Sequence, residues 1–328
     1  MRKNITYFVL VLSVASISLM SCNDDRLTAL DPGKVPPVLG PDLKNPFKDV
    51  SVQFEAGTKV NTELKKLVVI DSTIKESKDP SEYNNFSKNR TFVSLGTGKL
   101  LDANGQEVDL PYKSKFMEIF KRRDMLLLDI PTQSNGMMLE TSAVICWRVT
   151  KNGELLKPNP AKLPTILLRR PIEYKASSKV YYGGSKPLFD WEEGNGKDFK
   201  NIGKEVSGSL VEYVFAVFPG NLGYISVANP LDNTINLTQL YFISNLKPEA
   251  YKAYLVFDNF ASFVRIDDGN VKNIPTGEKA TLFVLSKSKT GQSYGLIKKI
   301  VTTPDLVIKQ ELAPISNTEI NAFLNSIN

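Results

Sequence analysis

Turn residues arrive so often in this chain that long helices have little room to form. Leu210 to Phe218 stops at Pro219-Gly220-Asn221, Gly223 to Ala228 stops at Asn229-Pro230, and Asn236 to Ser244 runs on to Leu246-Lys247-Pro248. Tyr251 to Phe257, Ser262 to Ile266, Ala280 to Ser286 and Gly295 to Thr302 continue the series. Apolar runs of strand length, closed by turn signals about every 8–12 residues, predict a β-sandwich or barrel.

The first half of the chain carries the same signal more loosely. Val50, Val52 and Phe54 alternate with polar residues, and Leu67-Val68-Val69-Ile70 is a short apolar run. Thr91 to Leu95, Lys99 to Leu101 and Met125 to Ile130 join the β series, with a turn at Asp102-Ala103-Asn104-Gly105. Thr141 to Thr150 passes through Lys151-Asn152-Gly153-Glu154 into Leu155-Leu156, an Asn-Gly hairpin between two apolar runs. Tyr112 to Arg123 is the helix candidate in this half. Pro158, Pro160, Pro164 and Pro171 suggest a boundary, giving expected domains at 47–170 and 171–328. At the C-terminus, Ser316 and Glu319 have capping-box spacing, and Ile320, Phe323, Leu324 and Ile327 repeat at helical spacing. A helix that short must dock on a sheet or a partner. The expected fold class is therefore mainly β: two β-sandwich-like domains after a Pro-rich tether, with a short C-terminal helix.

Residues 1–21 read as a signal peptide. Arg2 and Lys3 precede the apolar stretches Tyr7–Leu12 and Val14–Ile17, which together are short for a membrane span. The next residues, Leu19-Met20-Ser21-Cys22, resemble a bacterial lipobox. The resemblance implies cleavage before Cys22 and a diacylglyceryl group on its thiol, which makes the membrane a partner through lipid. Two acyl chains suffice for stable anchoring. Asn23-Asp24-Asp25 resembles, in part, the surface-export signal of Bacteroidota lipoproteins. The implied location is the outer membrane, with the protein facing either the cell surface or the periplasm. Residues 22–46 contain Pro32, Pro36, Pro37, Pro41 and Pro46 and read as an extended tether. Asp71-Ser72-Thr73 resembles the O-glycosylation site of exported proteins in the same phylum.

The chain has no histidine, which removes Ser-His-Asp and Cys-His catalysis and His-ligated zinc or haem. Of its two cysteines, Cys22 is committed to lipid. Cys146 is then left alone in an apolar run, where a buried thiol behaves as a small hydrophobe. Removing Arg2 and Lys3 from 41 basic residues leaves 39 against 35 acids, a mature charge of +4. That excess is mild and dispersed, with no basic stripe of the kind nucleic-acid binders carry. Neither a cofactor nor a metal is expected.

Gly96-Thr97-Gly98-Lys99 fails as a phosphate loop, because Val93 and Leu100 stand where Gly and Ser/Thr are needed. Asp267-Asp268-Gly269-Asn270 fails as a calcium loop, because Lys272 stands where Gly is needed, and it reads as a β-turn. Leu246-Lys247-Pro248-Glu249-Ala250-Tyr251 resembles the Leu-x-Pro-x-x-Tyr lead-in to a late strand of immunoglobulin-like and prealbumin-like domains. The alternative is a short helical turn with Pro248 in its first position. Tyr181, Tyr182, Asp190, Trp191, Glu192 and Glu193 are the candidate ligand contacts. They combine aromatic faces for sugar C–H groups with carboxylates for hydroxyls. Adjacent acids on a strand point to opposite faces, which disfavours Glu192 with Glu193 as a catalytic pair. The expected function is a non-catalytic binding or interaction module with a glycan or envelope-protein partner. An adhesin, pilus-like subunit or envelope scaffold is the alternative, and a carboxylate-based hydrolase comes third.

Overall fold

The computed structural model describes residues 53–67, 72–79, 83–96, 98–170, 177–184, 188–207, 210–231 and 236–327. The expected signal peptide, Cys22, the expected tether, Val50, Val52, Val68–Ile70 and Asp71 lie outside them. Residues 47–328 form one compact unit. Its class is mainly β, with a short helix near the C-terminus, as expected.

Four sheets make up the described part. Sheet I contains β2 (Asn85–Phe86), β3 (Phe92–Ser94), β8 (Thr165–Arg170), β11 (Phe199–Ser207) and β12 (Leu210–Val217), ordered β11-β12-β8-β3-β2. Sheet II contains β1 (Ser72–Ser77), β4 (Tyr112–Ile119), β6 (Met137–Lys151), β9 (Lys179–Gly184), β10 (Asp190–Glu193) and β13 (Gly223–Pro230). They run β1-β4-β6-β13-β9-β10, and short β5 (Gln133–Ser134) and β7 (Glu154–Leu155) pair with β6. Sheet III contains β15 (Tyr251–Phe257), β16 (Phe263–Arg265), β18 (Lys279–Lys287), β19 (Ser293–Val301) and β21 (Ala313–Pro314), ordered β16-β15-β18-β19-β21. Sheet IV orders β17 (Asn270–Pro275), β14 (Leu237–Ile243) and β20 (Leu306–Lys309) as β17-β14-β20, with β14 and β20 parallel.

Alternation along the strands builds three cores. Phe116, Ile145, Trp147, Ile225, Ile166, Phe215 and Val217 fill the space between sheets I and II. Leu240, Phe242, Leu255, Phe257, Leu282 and Val284 fill the space between III and IV. The opposite faces of sheets II and III meet in a middle core: Val144, Cys146 and Trp191 on one side, Tyr254, Phe263 and Phe283 on the other. Three helices close this middle layer: α1 (Gly57–Lys65) through Val60 and Leu64, α2 (Arg122–Leu127) through Met125–Leu127, and α3 (Asn317–Ser326) through Ile320, Phe323 and Leu324. Strands β6, β15 and β18 are thus buried on both faces, and their sequences read as near-continuous apolar runs.

The expected division at 170/171 does not describe this arrangement. β8 pairs with β12 and β6 pairs with β13, so strands from both sides of the cut share sheets I and II. Pro158, Pro160 and Pro164 lie in the connection between β7 and β8, inside one sandwich, and Pro171 lies outside the described residues. Pairing changes hands between Pro230 and Leu237, after which every strand belongs to sheet III or IV. The helix expected at Tyr112–Arg123 is also corrected. Tyr112 to Ile119 is strand β4, with Tyr112, Ser114 and Phe116 on one buried face, and the helix begins at Arg122. Met125–Ile130, expected in the β series, opens inside that helix. Lys99–Leu101 contributes only single bridges at Leu101. The Asn152-Gly153 hairpin is as expected, with φ of 53° and 87° at the turn. Asp267–Asn270 is a turn, with Asp268 and Gly269 both at positive φ. At Pro248 the short helical turn is realised, as a 3₁₀ turn over Pro248–Ala250, and Tyr251 then opens β15.

Candidate functional site

The six expected contact residues all lie on one hairpin, with Trp191 opposite Gly183, Glu192 opposite Tyr182 and Glu193 opposite Tyr181. The hairpin's aromatic faces are not open. Trp191 is 0% and Tyr181 2% exposed, and both belong to the middle core. The Trp191 indole N–H donates to the Pro131 carbonyl at 2.8 Å. Phe189 packs edge-on against Trp191 and Tyr224, with centroids 5.1 and 5.4 Å away. Its ring lies over Gly183, where an added Cβ would come within 2.5 Å of it. The run of aromatics that suggested a sugar platform is therefore a packing unit, built where sheet II meets the middle core.

The polar members are held as well. The Tyr182 hydroxyl donates to Asp198 at 2.8 Å and accepts from the Gly220 N–H at 2.8 Å. Burial, then the Asp198 carboxylate, pushes that hydroxyl well above its ordinary pKa. Tyr181 is raised to about 12 by burial and by the charge on Glu193. Asp190 accepts from the N–H groups of Trp191 at 2.9 Å and Asn135 at 3.2 Å, while burial raises its pKa. Glu192 and Glu193 are exposed on opposite faces, and Glu193 pairs with Lys179 at 2.7 Å.

Sequence reading did not foresee a buried polar node at Asp129. This residue follows α2 at φ 57°. Its carboxylate accepts from Tyr254 Oη at 2.9 Å and Asn61 Nδ2 at 2.6 Å, with Arg265 at 3.6 Å and Lys252 at 3.9 Å. Arg265 in turn donates from Nε to Asp267 at 2.7 Å. Burial, followed by Asp129, holds the Tyr254 hydroxyl far above its usual range. The node joins α1, the end of α2 and sheet III. Its carboxylate is already matched by hydroxyl, amide and cation, which suits a structural tie.

Two concavities open on the surface of the described part. One, of about 380 Å³, is lined by Tyr83, Leu95, Lys99, Asp109, Leu110 and Tyr112, with Gly96 and Gly98 in one wall. Its floor is fixed from behind. Tyr83 Oη accepts from the N–H groups of Ser77 at 2.9 Å and Tyr112 at 3.0 Å, while Tyr112 Oη accepts from Leu100 N–H at 3.2 Å and donates to Val108. Gly98 is required by close packing, since a Cβ there would meet the Lys162 side chain at 2.7 Å. At the rim, Lys99 Nζ and Asp109 Oδ1 are 2.6 Å apart, which raises the pKa of the amine and lowers that of the acid. Lys151 donates to the Asp109 backbone carbonyl. The second concavity, about 240 Å³, lies among α1, β18 and α3, with the Glu63–Lys287 pair at 3.4 Å in its lining.

Among the described residues, no cluster of three or more Cys, Asp or Glu is arranged to hold a metal ion, and no helix is long and apolar enough to cross a membrane. Set against known proteins, no family model, no curated protein and no solved structure matches this chain.

Proposed function

We propose that this chain is a non-catalytic, lipid-anchored cell-envelope protein acting as a binding module, held in the outer membrane through Cys22. The address rests on Leu19-Met20-Ser21-Cys22 and the tether behind it. The binding role rests on one observation above the others: the concavity at Tyr83, Lys99 and Asp109 is pre-formed. Its floor hydroxyls are fixed by backbone hydrogen bonds, one wall is glycine backbone, and its volume of about 380 Å³ lies within the usual range for small-molecule sites. The Tyr181–Glu193 hairpin carries no part of this reading, because its rings are inside the core.

The test has two arms. Replacing Cys22 with Ser should abolish incorporation of labelled fatty acid and leave residues 1–21 attached, read as a larger band, and protease shaving of intact cells reports which way the unaltered protein faces. Purified residues 23–328 are titrated with sugars, amino acids and short peptides. A saturable ligand that no longer binds after Gly96→Trp supports the reading. No ligand in any class, with the fold intact, defeats it.

A second reading, a structural envelope subunit, is favoured by the outer face of sheet I. Phe86 is 63% exposed there, beside the ring of Phe92 at 5.1 Å. Arg90 pairs with Glu212 and Arg169 with Glu205 on the same face. Charges that alternate in sign complement a second copy of the same face. Concentration-dependent dimerisation abolished by Phe86→Ser would move the assignment to this reading.

A further inference from the structure

The geometry points to a small zwitterion, a free α-amino acid or dipeptide with an apolar side chain, as the ligand of the Lys99–Asp109 concavity. This rests on the binding reading above and adds the chemical class.

Three features of the site select that class. The rim carries one cation and one anion, 2.6 Å apart, with side chains 52% and 77% exposed. Exposed pairs of this kind contribute little to stability, so a ligand can part them readily. Once parted, they present an ammonium and a carboxylate side by side. An α-amino acid head group carries the opposite charges on one carbon and can meet both at once. Leu95, Leu110 and the two tyrosines line the rest of the concavity, and the apolar edges they present are what a ligand's side chain would meet.

The same features disfavour the competing small ligands. Sugar recognition by stacking needs an open ring face, whereas Tyr83 and Tyr112 are only 4% and 3% exposed. Their hydroxyls are also engaged with backbone. A phosphate would gain Lys99 but meet the Asp109 carboxylate on the same rim.

The experiment is calorimetric titration of residues 23–328 with leucine, phenylalanine and leucyl-leucine. N-acetyl-leucine, leucinamide, glucose and inorganic phosphate are titrated in parallel. The zwitterions should bind saturably, and either blocked analogue should bind at least about tenfold more weakly, the loss expected for one charge-assisted hydrogen bond. Lys99→Met and Asp109→Asn should each weaken leucine by a similar factor and leave thermal unfolding unchanged, since both side chains are at the surface. Equal binding of leucine and its blocked analogues overturns the proposal, as does binding of glucose or phosphate alone. Either of those results leaves a binding module with a different ligand class. Silence from every titrant overturns the proposal, and the binding reading falls with it only if the wider panel of sugars, amino acids and short peptides is silent as well.

Discussion

Trp191 shows how far one residue's meaning depends on its surroundings. In the sequence it stands between Asp190 and Glu192, an arrangement that invites a ligand. In the fold its ring is wholly buried, its N–H is bonded to Pro131, and Phe189 covers the glycine across from it. Trp191→Ala should therefore destabilise the protein by about 3–5 kcal/mol, the usual range for emptying an aromatic core site. Denaturant unfolding followed through Trp147, the other tryptophan, measures this directly. An unchanged midpoint would mean the ring is not packed as described. The candidate site was barely legible at this scale. Burial of Trp191 is set by β13 and sheet III, which are distant in sequence, while Lys99 and Asp109 face each other across the hairpin turned at Asp102–Gly105, whose turn the sequence showed but whose ion pair it did not.

At the scale of elements, legibility followed burial pattern. The strands between Leu210 and Val301 other than β17 were readable because each alternates or runs apolar between turn residues; β17, Asn-Val-Lys-Asn-Ile-Pro, was missed because its buried Val271 and Ile274 are three apart, which breaks alternation. β11 was missed because it is an edge strand, Phe-Lys-Asn-Ile-Gly-Lys-Glu-Val-Ser, with lysines and a bulge near Gly203 in place of alternation. Such features also guard an open edge against pairing with other chains. α1 was missed because it commits only Gly57, Val60 and Leu64 to the interior. α2 was hidden because Met125, Leu126 and Leu127 are all buried, which erases helical periodicity. α3 was readable from its cap. Ser316 accepts from Glu319 N–H at 3.1 Å, and Glu319 accepts from Ser316 N–H at 2.9 Å. Ser316→Ala should cost about 1 kcal/mol. It should also speed amide exchange in α3 before any strand of sheet III; uniform exchange across both would show that the cap does not act locally.

At the scale of the whole molecule, the buried tyrosines set an alkaline limit. Tyr181 is raised to about 12, and Tyr182, Tyr251 and Tyr254 are pushed further up, in each case chiefly by burial. An unfolded tyrosine ionises near pH 10, so the unfolded chain releases these protons first. The stabilisation is complete below about pH 10 and is lost as pH climbs toward 12 and beyond. Phenolate absorbance should show these groups ionising only together with loss of near-UV dichroism. Ionisation near pH 10 with the fold retained would contradict their burial.

The middle core has a further consequence, for timing. Its walls include Val60 and Leu64 near the start of the described chain and Ile320, Phe323 and Leu324 near the end. A chain threaded out N-terminus first delivers α1 long before α3. Sheets I and II can pair once Pro230 has emerged, yet the face of sheet II that carries Val144, Cys146 and Trp191 waits for the residues of sheet III and α3 to follow. Throughout that interval an apolar surface is open to other chains, so slower emergence lengthens its exposure.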